Sequence, residues 1–168
     1  MHEAVVWFRR FGKNLGKVEN FRKRFGNLLR QSWTFTVRQI LGWSIWESLA
    51  ADGALQPLSR ALIKRGPPTG VIHHSDRGVQ YACGEYRRQL QQQGLRASMS
   101  PKGNCYDNAA MEAFWSTLKR EALDQSDQWS KDRVRRELFE YIEAVYNRSR
   151  FHSALEYQSP VDFEQRNN

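Results

Sequence analysis

From Ile40 onward the apolar positions fall into runs whose period changes along the chain. Residues 40–46 are apolar and rich in tryptophan, which predicts a strand. Ala54, Leu55, Leu58, Ala61 and Leu62 then recur at i, i+1, i+4, i+7 and i+8, one face of a helix. Pro57 sits inside that pattern, and its missing N–H frays or kinks the first turn. Gly66-Pro67-Pro68-Thr69-Gly70 ends the helix, and residues 71–76 predict a short buried strand closing on polar groups. Residues 84–93 predict a second helix closed by Gly94, and residues 96–100 an edge strand. Asp107 is placed to cap the next helix, its carboxylate accepting the orphan N–H groups of the first turn. Met111, Phe114, Trp115, Leu118 and Ala122 are that helix's apolar face. Val134, Leu138, Tyr141, Ile142, Val145 and Tyr146 give another amphipathic helix, and the tail around Pro160 predicts irregular chain. The order strand, helix, strand, helix, strand, helix, helix is α/β.

Residues 1–37 give no such pattern. Trp7, Phe8, Phe11, Leu15 and Val18 have helical spacing, but Gly12, Gly16 and Gly26 interrupt it. Each glycine inside a helix costs ~1 kcal/mol relative to alanine. The expectation is an atypical, irregular leader over residues 1–37 and a folded region over residues 38–168.

Composition narrows the class. A chain of 168 residues, 40% hydrophobic with nine Phe, six Trp and six Tyr, has enough material for one compact domain. A mean hydropathy of −0.74, with no apolar run near the ~18 residues of a membrane span, excludes an integral membrane protein. Residues 1–10 lack the apolar centre of a signal peptide. Cys83 and Cys105 are too few for a disulfide scaffold and lack metal-ligand spacing, so a reduced, cytoplasmic protein is expected. The net charge of +8 suggests a polyanionic partner. Residues 1–37 hold eight Lys or Arg against two acids, and residues 38–168 eighteen against sixteen. The basic signal therefore belongs mainly to the leader.

Two carboxylates stand out. Asp76 closes a predicted strand, at the C-terminal sheet edge where open α/β sheets place ligands. Glu112 lies beside the apolar stripe of its helix and shares a face with Ser116 and Lys119 at i+4 and i+7. Together the two acids would suit a hard cation such as magnesium. Each also has a plainer reading, Asp76 as a turn former and Glu112 with Lys119 as a solvated face. His73 and His74 point to opposite sides of their strand, so only His74 shares the Asp76 face, as a ligand or in a packing or hydrogen-bonding role. Phe114 and Trp115 read as core, and the charged run 131–137 as a solvated helix face.

Longer strings sharpen this. His74-Ser75-Asp76-Arg77-Gly78-Val79-Gln80-Tyr81, the stretch Ser98 to Ala109, Glu112, and Leu118-Lys119-Arg120-Glu121 resemble the integrase core of DDE transposases. The resemblance is to the downstream-frame product of bacterial insertion sequences that encode their enzyme in two overlapping reading frames. Gly42-Trp43-Ser44 and the ending Tyr146-Asn147, Arg150, His152, Leu155 and Pro160 fit the same family, so the likeness covers about residues 38–165. Thirty-five residues separate Asp76 from Glu112, the family's spacing between its second and third acids.

The resemblance implies a ribonuclease-H-like fold and DNA transposition. In that family three acids hold two divalent metals, Mg²⁺ or Mn²⁺, that cut and join phosphodiesters. Asp76 and Glu112 would be catalytic metal ligands, Lys119 would bind DNA near the cut, and Asp107 would act at most behind the ligands. The implied partners are DNA (the element's ends and its target), an upstream-frame DNA-binding protein and further copies of the chain.

One departure stands against activity. The family's first acid lies on the first strand, and residues 1–51 contain no aspartate; Glu3, Glu19 and Glu47 lack the family's surrounding pattern. The expectation is a core incomplete at its N-terminal strands, truncated or frameshifted, and inactive as it stands. The alternatives are a non-catalytic basic DNA-binding protein and a decayed reading frame without function.

Overall fold

The computed structural model describes residues 5–8, 29–34, 37–45, 52–65, 70–75, 78–99, 109–123 and 129–167, with backbone alone at 5–8, 29–34, 52–53, 80 and 109–112. Five strands, β1 (Val5–Phe8), β2 (Leu29–Thr34), β3 (Ile40–Ile45), β4 (Ile72–Ser75) and β5 (Arg96–Met99), form one sheet in the order β3-β2-β1-β4-β5. β1, β2 and β3 are antiparallel neighbours, whereas β4 runs parallel to both β1 and β5. Parallel neighbours require crossovers. Helix α1 (Asp52–Arg65) lies between β3 and β4, and α2 (Val79–Ala82) with α3 (Gly84–Gln92) lies between β4 and β5.

The chain divides into two compact units, residues 1–36 with 40–107 and residues 37–39 with 108–168. That division differs from the one expected at residue 37. Residues 1–37, for which the spacing predicts no element, supply β1 and β2. Val5-Val6-Trp7-Phe8 is a run of β-branched and aromatic residues, which favours a strand. The helical spacing of Trp7, Phe8 and Phe11 obscured it.

In the first unit, Ala54 and Leu58 of α1, Tyr81, Tyr86, Leu90 and Leu95 form one buried cluster. β3 packs hard against α1. A Cβ built on Gly42 would stand 2.2 Å from the Pro57 carbonyl oxygen, so only glycine fits there. Pro57 lies inside α1, as the sequence expects.

The second unit is helical. α4 (Ala109–Ala122) buries Phe114, Trp115 and Leu118, and α5 (Lys131–Glu140) buries Val134 and Leu138 while its charged residues face outward. Ser130 Oγ caps α5 by accepting from the Arg133 N–H at 3.3 Å. α5 then widens into a π-helical stretch, Tyr141–Tyr146, and the Asn147 N–H donates to the Ile142 carbonyl at 3.0 Å. The tail, expected to be irregular, forms α6 (Pro160–Asn167). Its start is chemically ordinary. Proline at the first helical position lacks only an N–H that would be unpaired anyway, and Ser159 Oγ accepts from the Asp162 N–H at 3.2 Å. No helix among the described residues is long and apolar enough to cross a membrane.

Candidate functional site

Asp76 directly follows β4, and it lies outside the described residues, as do Asp107 and Cys105. Glu112 is in the first turn of α4, with its backbone described and its carboxylate not. The two acids fall in different compact units. Lys119 is seven residues further along α4, ~20° from the Glu112 face and ~10 Å along the axis by helix geometry. It is half-buried, and desolvation holds its ammonium pKa below the usual value. The charge is thus easier to remove there than in water, and an anion beside it would reverse that effect.

β1 is the strand that flanks β4. Val5 pairs with Ile72, Val6 with His73, Trp7 with His74 and Phe8 with Ser75. No member of β1 carries an oxygen or nitrogen suited to a hard cation except through its backbone. Carboxylate oxygens such as those of Asp76 and Glu112 suit a hard cation such as Mg²⁺ or Mn²⁺ in kind. Among the described residues no group of three or more His, Cys, Asp or Glu side chains is placed to hold a metal.

The two histidines of β4 do separate work. His73 is 1% exposed; its Nε2 is 3.0 Å from the Tyr86 hydroxyl, and the two rings meet edge to face at 5.5 Å. Burial pushes its pKa down to about 3, so it is a neutral core residue. His74 Nδ1 is hydrogen-bonded to Ser98 Oγ of β5 at 2.9 Å, the hydrogen-bonding role expected of it.

A polar cluster in the second unit escaped the sequence reading. Glu121, near the end of α4, accepts from the Tyr141 hydroxyl at 2.9 Å and from Arg150 Nη1, and Arg120 stands 3.5 Å away. Burial alone would raise the Glu121 carboxyl. The hydrogen bonds from Tyr141 and Arg150, with the Arg150 charge, outweigh it and hold the pKa low. Burial and the same carboxylate push the Tyr141 phenol up. The cluster ties α4 to the π-helical stretch and to the segment after it. The spacing of Glu121 from Arg150 gives no periodic signal, so only the fold reveals it.

The comparisons agree with this architecture. Two models described as "Integrase core domain" match residues 35–105 and 93–160. The chain is 42% identical over 130 residues to the transposase of insertion sequence IS904 from Lactococcus lactis subsp. lactis, covering 77% of this chain and 51% of the relative. It is 44% identical over 128 residues to a 31 kDa protein of insertion element IS600 from Shigella sonnei (76% and 47%), and 43% identical over 130 residues to transposase InsF of IS3 from Escherichia coli K12 (77% and 45%). The chain spans about half the length of these relatives. Among solved structures, the catalytic core of BIV integrase superposes with a TM-score of 0.66 at 12% identity, covering 99% of this chain and 96% of that one. The HTLV-2 integrase core in complex with magnesium gives 0.63 at 9% identity, covering 96% and 95%. The fold is therefore the ribonuclease-H-like integrase core. The chain belongs to the integrase-core family, with insertion-sequence transposases among its relatives.

Proposed function

We propose that this chain is the catalytic-core portion of a DNA transposase, with Asp76 and Glu112 as two of its three metal-binding carboxylates and Lys119 as a contact to the DNA backbone. The observation that carries the reading is 42–44% identity to insertion-sequence proteins over some 130 residues, at Asp76-to-Glu112 spacing that suits the family. Bound Mg²⁺ or Mn²⁺ would supply Lewis-acid chemistry at a phosphodiester. Asp76 and Glu112 would hold the ion through carboxylate oxygens, and Lys119 would meet a phosphate as a point charge. With no acid on β1, two carboxylates hold an ion weakly, and we read the chain as inactive in strand cleavage. Copies of the chain and an upstream-frame DNA-binding protein are its proposed partners, and the cytoplasm its proposed compartment.

Mn²⁺ titration of the isotope-labelled full chain tests the metal reading. Paramagnetic broadening is expected first at β4's last residues and the first turn of α4, weakened in Asp76→Asn and in Glu112→Gln. Broadening that ignores both substitutions would refute the assignment.

A further inference from the structure

The two compact units differ in charge. Residues 1–36 with 40–107 hold sixteen Lys or Arg against seven acids, and residues 37–39 with 108–168 hold ten against eleven. The leader supplies part of that excess, but residues 40–107 alone hold eight against five. A polyanion is therefore drawn to the first unit.

Within that unit, α3 presents its positive charge bare. Its inner face is fixed: Tyr86 and Leu90 are buried in the core cluster. Gly94 (φ 67°) ends the helix, and the Leu95 N–H donates back to the Leu90 carbonyl at 2.9 Å. The outer face carries Arg87, Arg88, Gln91 and Gln92, all exposed. Each arginine has a glutamine at i+4, so the four form a two-by-two array ~6 Å long on the helix axis. Among the described residues neither arginine makes an ion pair, and the helix has one acid, Glu85. α5 shows the contrast of a solvated face, where Arg133 pairs with Glu137 and Arg135 with Asp132. Helix stability does not explain the arginines of α3 either. They stand in its N-terminal half and not in the last turn, where the macrodipole favours cations. Arg96, the first residue of β5, is a further exposed arginine without an ion pair among the described residues. Arginine only donates, and glutamine offers an N–H₂ beside its oxygen, so the matching surface has repeated anionic acceptors.

We propose that the outer face of α3, Arg87 and Arg88 with Gln91 and Gln92, docks the phosphate backbone of duplex DNA without regard to its sequence. The choice of DNA as the polyanion rests on the transposase reading above. The charge and its exposure do not. Phosphate contacts from arginine and glutamine fix where a duplex lies and carry no sequence information. The face belongs to the same compact unit as Asp76, and its helix is held by the core, so the array is rigid before DNA arrives.

The test is duplex binding by the full chain across a salt series, with two duplexes of unrelated sequence. The double variant Arg87→Gln with Arg88→Gln is compared with Arg135→Gln with Arg136→Gln, which takes the same charge from α5. All four side chains are exposed, and thermal unfolding checks that both variants keep the fold. The α3 variant should lose affinity about tenfold for each arginine, equally for both duplexes. Its slope of log K against log salt should shrink by about 2, and the α5 variant should match the parent. A folded α3 variant that keeps the parent's slope, or loses no more than the α5 variant, overturns the face and leaves the transposase reading standing. A loss confined to one duplex overturns contact through phosphates. A parent chain that binds neither duplex removes the DNA reading, and the docking face with it.

Discussion

Phe8 of β1 and Ser75 of β4 are partners in the parallel ladder, and Ser75 immediately precedes Asp76. The strand beside the residue that precedes Asp76 is therefore present, and its sequence, Val5-Val6-Trp7-Phe8, holds no acid. Several consequences of the fold can be measured without any activity.

Gly42 should not tolerate a side chain. In Gly42→Ala the new methyl meets backbone, the Pro57 carbonyl oxygen at 2.2 Å, so β3 and α1 must separate. Overpacking of this kind costs ~1–3 kcal/mol. Gly84→Ala at the start of α3 meets nothing within 4 Å and should be neutral or mildly stabilising. Thermal unfolding of the two variants checks the contrast, and equal melting temperatures would contradict it.

His73 should make the first unit acid-sensitive. Its folded pKa, about 3, lies below the unfolded value near 6.5, so the unfolded chain takes up the proton first. The stability is fully present above pH 6.5 and declines as pH falls from there towards 3, by at most ~1.4 kcal/mol per pH unit from this residue. Urea denaturation of the parent and His73→Gln at pH 7, 5 and 4 measures it. The gap between their stabilities should narrow as pH falls; a constant gap would show that His73 does not titrate with unfolding.

Most of the elements could be read from the residues alone, because their signals are local. The apolar period of α1 and α4, the stop at Gly94 and the buried run before Asp76 all lie within a few residues of what they specify. Errors came where long-range pairing decides. β1 is four residues long and gains its stability from partners at residues 32–34 and 72–75, not from its own pattern. α6 is legible in principle, since Ser159-Pro160 followed by Asp162 is a helix-start signal, although a tail read for apolar period alone around Pro160 predicts irregular chain. Of the proposed site, Asp76, Glu112 and Lys119 rest on the resemblance to the family's motifs. The Glu121–Tyr141–Arg150 group joins residues 20 and 29 positions apart in chain order, beyond the reach of any helix or strand period.

The Glu121 cluster should hold the second unit together. Glu121→Ala leaves the half-buried Tyr141 hydroxyl and the Arg150 guanidinium without their acceptor, at a cost of ~1–2 kcal/mol after allowance for solvent screening. The Tyr141 phenol, raised by burial and by this carboxylate, should ionise at lower pH in the variant. Ultraviolet titration beside denaturant unfolding reads both, and an unmoved phenol with unchanged stability would dismiss the cluster.

The coding DNA should retain a second reading of residues 31–37. Gln31-Ser32-Trp33-Thr34-Phe35-Thr36-Val37 can be spelled so that a one-base shift of frame gives Ile-Leu-Asp-Leu-Tyr-Ser, a run that carries an aspartate where residues 1–51 have none. Translation of the region encoding residues 1–37 in the other frames is predicted to yield an Asp-bearing strand ahead of that string. If no frame does, the frameshift origin is wrong.

Plasmid nicking in Mn²⁺ bears most directly on the central claim, that the fold is a transposase core whose first carboxylate is missing. The account predicts supercoiled plasmid left intact above background by the folded full chain, in parent and Glu112→Gln alike. Robust Mn²⁺-dependent nicking by the parent that disappears in Glu112→Gln would contradict it, because the metal site would then be complete.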